Sequence, residues 1–194
     1  VRRFVQESFA PIYEDRGDWW IGEGSALRPA TYNRTILDAE RAAASFTERG
    51  GDGVVLRFAA FYGPDAMLRD MLGVVKKGWS PLPGAASAYW SSVSHEDAAR
   101  AVVAALRVPA GVYNVCDDDP LTRREWVDTV AGAIGARPPR LMPHWLAAMG
   151  GSTMELLSRS ERMSNAKLKS VSDWTLEWPS ARAGLPAAIR ALAA

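Results

Sequence analysis

Three short apolar runs, separated by stretches with a helical repeat, constrain this chain most. They lie from Phe4 to Ser8, Val54 to Phe58 and Val112 to Val115. Each is too short for a stable helix and is bounded by turn residues, which marks it as a buried strand. After the first run, Tyr32, Ile36, Ala39, Ala43 and Phe46 recur at three- and four-residue spacing. That spacing predicts a helix from about Tyr32 to Arg49 with one apolar face, stopped by Gly50-Gly51. Strands alternating with helices predict an α/β fold with a mainly parallel sheet, since parallel neighbours need a crossover between them.

The same reading places a helix from Met67 to Lys77, ended by Gly78, and a last helix from Ala181 to Ala194 with an irregularity at Pro186. Ser94-His95-Glu96-Asp97 and Thr122-Arg123-Arg124-Glu125 have capping-box spacing. A box satisfies backbone donors that a helix start leaves orphaned, so Asp97 reads as structural. Pro143 to Met149 is a short apolar segment suited to covering a core or cleft. Residues 1–63 and 91–137 are expected in the α/β core, 64–90 and 138–180 in a small lobe, and 181–194 in the final helix. Such a lobe would lie over the carboxyl ends of the strands, where α/β sheets hold ligands.

Composition removes several classes of function. With net charge +1 and both signs interspersed, no footprint for nucleic acid or an anionic membrane is present. No apolar stretch reaches spanning length. The lone Cys116 excludes an internal disulfide framework, fits a reducing, cytoplasmic setting, and reads as an inert packed thiol. Asp117-Asp118-Asp119 invites a metal reading, but lacks partner ligands at useful spacing and precedes Pro120; a solvated turn is expected, and no metal. Among eight tryptophans, Trp19, Trp20, Trp79, Trp90 and Trp145 could line a pocket or pack on loops. Gly50-Gly51-Asp52-Gly53 and Gly22-Glu23-Gly24 do not match the dinucleotide fingerprint. The chain is therefore expected to be the later part of a larger α/β protein, with the phosphate site upstream; a self-sufficient short protein is the alternative.

Tyr32-Asn33-Arg34-Thr35-Ile36-Leu37-Asp38-Ala39-Glu40 resembles the active-site helix of the extended short-chain dehydrogenases/reductases, the NAD-dependent epimerase/dehydratase group. That helix carries tyrosine, lysine four residues on, and glutamate four further. Tyr32 and Glu40 fit; Ile36 stands at the lysine position. The resemblance continues through Arg3-Phe4-Val5 to Tyr13, Leu56-Arg57-Phe58 to Gly63-Pro64, Ser92 to Arg100, Gly111 to Val115, and Ser164-Asn165-Ala166-Lys167-Leu168 to Pro179-Ser180. Its order along the chain implies the C-terminal portion of a Rossmann-like, doubly wound, mainly parallel sheet with a small substrate lobe.

The resemblance also implies the chemistry. In that group tyrosine exchanges a proton with a substrate oxygen, serine holds the same oxygen, and lysine holds the nicotinamide ribose and lowers the tyrosine's pKa. A phenol near pKa 10 needs such a cation to work at pH 7. By this reading Tyr32 and Ser8 are the catalytic candidates, although Phe9 occupies the best-matching serine position and Ala59-Ala60 replaces a usual asparagine. Tyr32, Phe61 and Tyr62 are candidates for contact with NAD or NADP, and Ser8, Phe9 and Trp90 for contact with substrate. Tyr32 could equally be a packed residue, and Ser8 could serve only the loop backbone. Arg57, Arg69 and Arg140 could meet a phosphate, with salt bridges as the competing use. The implied function is an NAD(P)-dependent epimerase, dehydratase or reductase acting on a sugar nucleotide or a small carbonyl compound, and a homodimer is compatible with it. Against this stand a catalytically degraded dinucleotide-binding protein, for which Ile36 argues, and an interaction module.

Overall fold

The computed structural model describes residues 1–141 and 151–193. The expected cover segment from Pro143 to Met149, with Trp145, lies outside the described residues. Strands β1 (Arg3–Phe9), β3 (Asp52–Phe58) and β7 (Gly111–Val115) form one parallel sheet in the order β1-β3-β7. These are the three apolar runs, extended by one or two residues. The register sets Ser8 beside Arg57 and Arg57 beside Asn114. Because side chains alternate along a strand, Ser8, Arg57 and Asn114 share one face, and Val54, Leu56 and Phe58 the other.

Helix α1 (Ile36–Glu48) packs on β1 and β3. Gly53 permits that approach: a Cβ there would sit 2.1 Å from the Ala43 carbonyl oxygen. Phe4 and Phe46 close the far end edge to face, with centroids 6.0 Å apart. On the opposite face Val54, Leu56, Phe58, Tyr113 and Val115 form a core with Ala98, Ala101 and Ala104 of α3 (His95–Ala104) and with Leu168 and Trp174. A second core joins α2 (Ala66–Lys76), α4 (Arg123–Ala133) and α7 (Ala181–Ala193), through Leu72, Trp126, Val130 and Leu185 among others. Two short helices, α5 (Gly151–Leu157) and α6 (Ala166–Ser170), precede α7, and Pro186 lies inside α7 and does not end it.

Tyr32 is not in the long helix, contrary to the expected start. It sits in a separate 3-10 turn, Thr31–Asn33, and α1 begins at Ile36. Apolar periodicity reports which side chains share a face, and a 3-10 turn followed by an α-helix preserves that; it does not report where the hydrogen bonding changes. Thr122 and Glu125 make the full reciprocal capping box, and Ser94 accepts from the Asp97 amide. The Asp97 carboxylate is fully buried and also accepts from the Glu177 and Trp178 amides, tying α3 to the chain that leads into α7.

The sequence gives no periodic signal for the short pairs. Strand β4 (Ala60–Tyr62) pairs parallel with β6 (Ser92–Ser94), β2 (Trp20–Ile21) parallel with β9 (Arg162–Met163), and β5 (Tyr89–Trp90) antiparallel with β8 (Leu121–Thr122). Two or three residues carry too few side chains for a pattern. Cys116 is buried, and burial holds its thiol pKa well up, as an inert packing residue requires.

The acidic triplet is only partly a solvated turn. Asp118 pairs with Lys169 at 2.6 Å and Asp119 is exposed, but Asp117 is 1% exposed. Desolvation pushes the Asp117 carboxyl up to about 7, although the Ser92 and Ala181 amides donate to it. Its folded pKa thus lies above its unfolded value near 3.9, so the folded state binds the extra proton. The stability this provides is complete below about pH 4 and is lost as pH rises to about 7. Asp117→Asn should remove this part of the decline, about 3–4 kcal/mol at most between pH 4 and pH 8. Urea unfolding of both proteins across that range checks it; parallel curves would contradict it.

Candidate functional site

An open groove of about 470 Å³ lies where β1 ends and the Tyr32 turn enters α1. Gln6, Glu7, Ser8 and Phe9 line one wall, and Tyr32, Asn33, Thr35, Ile36 and Ala39 the other. Three expected site residues, Ser8, Phe9 and Tyr32, are thus brought together, with Ile36 beside them. Tyr32 is 52% exposed, whereas Ser8 is 2% exposed. The lining carries one carboxylate, Glu7, and no cationic side chain.

The other expected residues stand outside this lining. Phe61 is exposed near the carboxyl end of β3, its ring 5.2 Å from that of Phe58, the register partner of Phe9. Tyr62 is buried, and its hydroxyl faces α7, where a Cβ on Gly184 would come within 2.0 Å of it. It borders a separate cavity of about 160 Å³ with Glu96, Glu177 and Trp178. Trp90 packs beneath the Arg123 guanidinium, 5.1 Å from its ring centroid. Of the arginines considered for phosphate, Arg57 is fully engaged in a buried ion pair.

Beneath the groove runs a polar network that the sequence reading did not assemble. Ser8 Oγ donates to Glu40 Oε1 at 2.5 Å. Arg57 grips the same carboxylate from two nitrogens, Nε to Oε1 at 2.8 Å and Nη2 to Oε2 at 2.6 Å. Its Nη1 donates to the Tyr13 hydroxyl at 2.8 Å, which in turn donates to Asn114 Oδ1 at 2.7 Å. The Asn114 backbone amide donates to the Glu23 carboxylate, and its side-chain amide donates to the Ile21 and Ser164 carbonyls. The network therefore links all three strands with α1, β2 and the chain after β9.

Each shift within it has a physical cause. Burial raises the Glu40 carboxyl, but hydrogen bonds from Arg57 and Ser8 and the guanidinium charge outweigh it and hold the pKa below the usual range. Burial also works against the Arg57 charge, and Glu40 and Tyr13 more than offset that. Desolvation pushes Tyr13 up to about 12 against the pull of Arg57, so its phenol stays protonated and can donate. One signal was available in the sequence: an arginine in the apolar run Val54-Val55-Leu56-Arg57-Phe58 must find a buried acceptor. Among the described residues no cluster of three or more metal-ligating side chains occurs, and no helix is long and apolar enough to cross a membrane.

No family profile matches the chain. It is 31% identical over 188 residues to the 3-diazoavenalumate denitrifying reductase of a Streptomyces species, covering 93% of this chain and 58% of that protein. In structure it is similar to human epimerase family protein SDR39U1 (isoform 2) with NADPH, at a TM-score of 0.84 and 18% identity, covering 97% of this chain and 65% of that one. It is also similar to MoeE5 in complex with UDP-glucose and NAD, at a TM-score of 0.78 and 25% identity, covering 98% and 64%. The chain thus spans a little under two thirds of the length of these relatives. The likeness to the epimerase/dehydratase group, and the parallel α/β fold it implied, are borne out.

Proposed function

We propose that this chain, which carries the fold of the NAD-dependent epimerase/dehydratase group of short-chain dehydrogenases/reductases, is part of an NAD(P)H-dependent reductase acting on a small aromatic acceptor. The observation that carries this reading is the 31% identity, along nearly the whole chain, to a protein named as the denitrifying reductase of a diazo compound.

The composition of the groove supports the same direction. Reducing a carbonyl consumes a proton as well as a hydride, and the group's usual donor is a phenol activated by lysine. Here that position is Ile36, and no other cation lines the groove. An aryl diazonium ion changes the balance. Its reduction, ArN₂⁺ + NAD(P)H → ArH + N₂ + NAD(P)⁺, consumes no proton. A bound nicotinamide supplies the hydride. Glu7 is the one carboxylate among the lining residues and favours the positive charge of such an acceptor, Tyr32 offers an aromatic face to its ring, and Ile36 and Ala39 keep that side dry.

Of the aromatic residues considered for the cofactor, Tyr32 and Phe61 are exposed and can meet a nicotinamide, whereas Tyr62 is buried against α7. No glycine-rich strand–turn–helix occurs in these 194 residues to cradle a pyrophosphate. A sugar-nucleotide substrate is the second reading, favoured by the likeness to MoeE5. It fits this groove less well, because a diphosphate is ordinarily met by cationic side chains or backbone amides.

The test presents the intact protein and NADH or NADPH with benzenediazonium, benzaldehyde and UDP-glucose in turn. Cofactor oxidation with benzenediazonium, above that of heat-denatured protein, is the expected result. Oxidation with benzaldehyde alone would overturn the acceptor class. Tyr32→Phe removes only the hydroxyl. It should leave diazonium reduction within about threefold of wild type, whereas a carbonyl reduction that used this phenol would fall about 100-fold. A loss of that size with the diazonium would contradict the proton-free reading.

A further inference from the structure

Ser8 is among the residues that line the groove, only 2% exposed, and its hydroxyl has one proton and two lone pairs to offer. The structure decides where the proton goes. Glu40 Oε1 lies 2.5 Å from Ser8 Oγ, and Arg57 holds both carboxylate oxygens from the other side. Arg57 is 4% exposed and itself pinned by the Tyr13 hydroxyl, so it cannot turn away. Arginine stays charged in proteins, and a carboxylate beside it only accepts. Ser8 must then be the donor in its bond to Glu40.

We infer that Glu40, clamped by Arg57, makes Ser8 a hydrogen-bond acceptor towards the groove, so the ligand atom that meets Ser8 is a donor, a hydroxyl or an N–H, and not a carbonyl oxygen. This rests on the proposed reading of the groove as a site for an aromatic acceptor. It reverses the polarity that the family resemblance implies for a serine at this place. Glu40 acts through Ser8 and is a positioning residue that sets specificity.

Two stable aromatic cations test this on the intact protein: (3-hydroxyphenyl)trimethylammonium, which carries a donor, and its methyl ether, which does not. Calorimetry at pH 6.5 keeps the phenol protonated. Wild type should bind the hydroxyl probe about tenfold more tightly, as one hydrogen bond allows. Ser8→Ala leaves the Glu40–Arg57 pair intact and should erase the difference. In Glu40→Gln the amide oxygen faces Arg57 and the amide nitrogen donates to Ser8, freeing the serine proton for the groove; the preference should vanish or invert. Glu40→Asp keeps the charge and should retain it. A merely structural Glu40 would change both affinities together, and circular dichroism shows that each variant is folded. Equal binding of the two probes by wild type, failure of both to bind, or an unchanged preference in Glu40→Gln would overturn the assignment. Cofactor oxidation with benzenediazonium is measured separately. Oxidation without the hydroxyl preference removes this inference and leaves the reductase, whereas the preference without oxidation removes the reductase and leaves this inference.

Discussion

Replacing Arg57 with methionine lowers the unfolding free energy by about 3–5 kcal/mol, the cost of leaving one member of a buried ion pair without its partner. The geometry puts this pair at the upper end. The guanidinium makes two charge-assisted bonds to Glu40 and one to Tyr13, and neither member of the pair is open to solvent. Without it, Glu40 keeps only the Ser8 hydroxyl, and its carboxyl must protonate or draw in water. The double substitution Arg57→Met with Glu40→Leu should recover most of the loss, because two apolar side chains of similar volume pack where two charges had to be desolvated. Urea denaturation of wild type and both variants measures it. A single-variant cost below about 1 kcal/mol would class the pair with solvent-screened surface bridges and contradict the account of the network.

Ile36→Lys has the second large effect, and it acts in opposite directions on the two kinds of acceptor. Ile36 is half-buried at the groove wall, so a lysine can lay its stem along the wall towards Tyr32 and keep its ammonium at the groove mouth. An ammonium about 5 Å from a cationic ligand repels it by about 3 kcal/mol at an effective dielectric of 20. The kcat/KM for benzenediazonium should therefore fall about 100-fold. Carbonyl reduction should rise near pH 7, because the same cation favours the ionised phenol of Tyr32 and supplies the missing activation. Steady-state kinetics on both acceptors check this. Unchanged diazonium kinetics would show that the acceptor does not sit beside Ile36.

The strand at Val54 was legible because continuous burial on both faces leaves a nearly unbroken apolar run, whereas those at Phe4 and Val112 were legible from their place between helical stretches; β1 is in fact half-buried, with Glu7 exposed. Tyr32, Ser8 and Phe9 were legible as a group through the family resemblance, and the structure sets them on one groove where the strand end meets the helix start. The Glu40–Arg57–Tyr13–Asn114 network was not. Its members lie 17 to 101 positions apart in their bonded pairs, and only the register of β1, β3 and β7 brings them face to face. Asp117 shows the same limit: three adjacent acids read as a solvated turn, yet the first has its side chain beneath β6 and α7. Tyr62 and Trp90 are aromatic residues near turns, and their sequence surroundings do not distinguish a ligand contact from packing against Gly184 or Arg123.

Stoichiometry of the reaction with an aryl diazonium separates a proton-free hydride transfer from carbonyl chemistry. The intact protein is given benzenediazonium and NADPH at pH 7, and cofactor oxidised, nitrogen released and benzene formed are quantified together, with heat-denatured protein as the blank. A hydride acceptor that needs no proton donor predicts equal amounts of all three above the blank. NADPH oxidised without nitrogen, or no oxidation with the diazonium beside steady reduction of benzaldehyde, would contradict it.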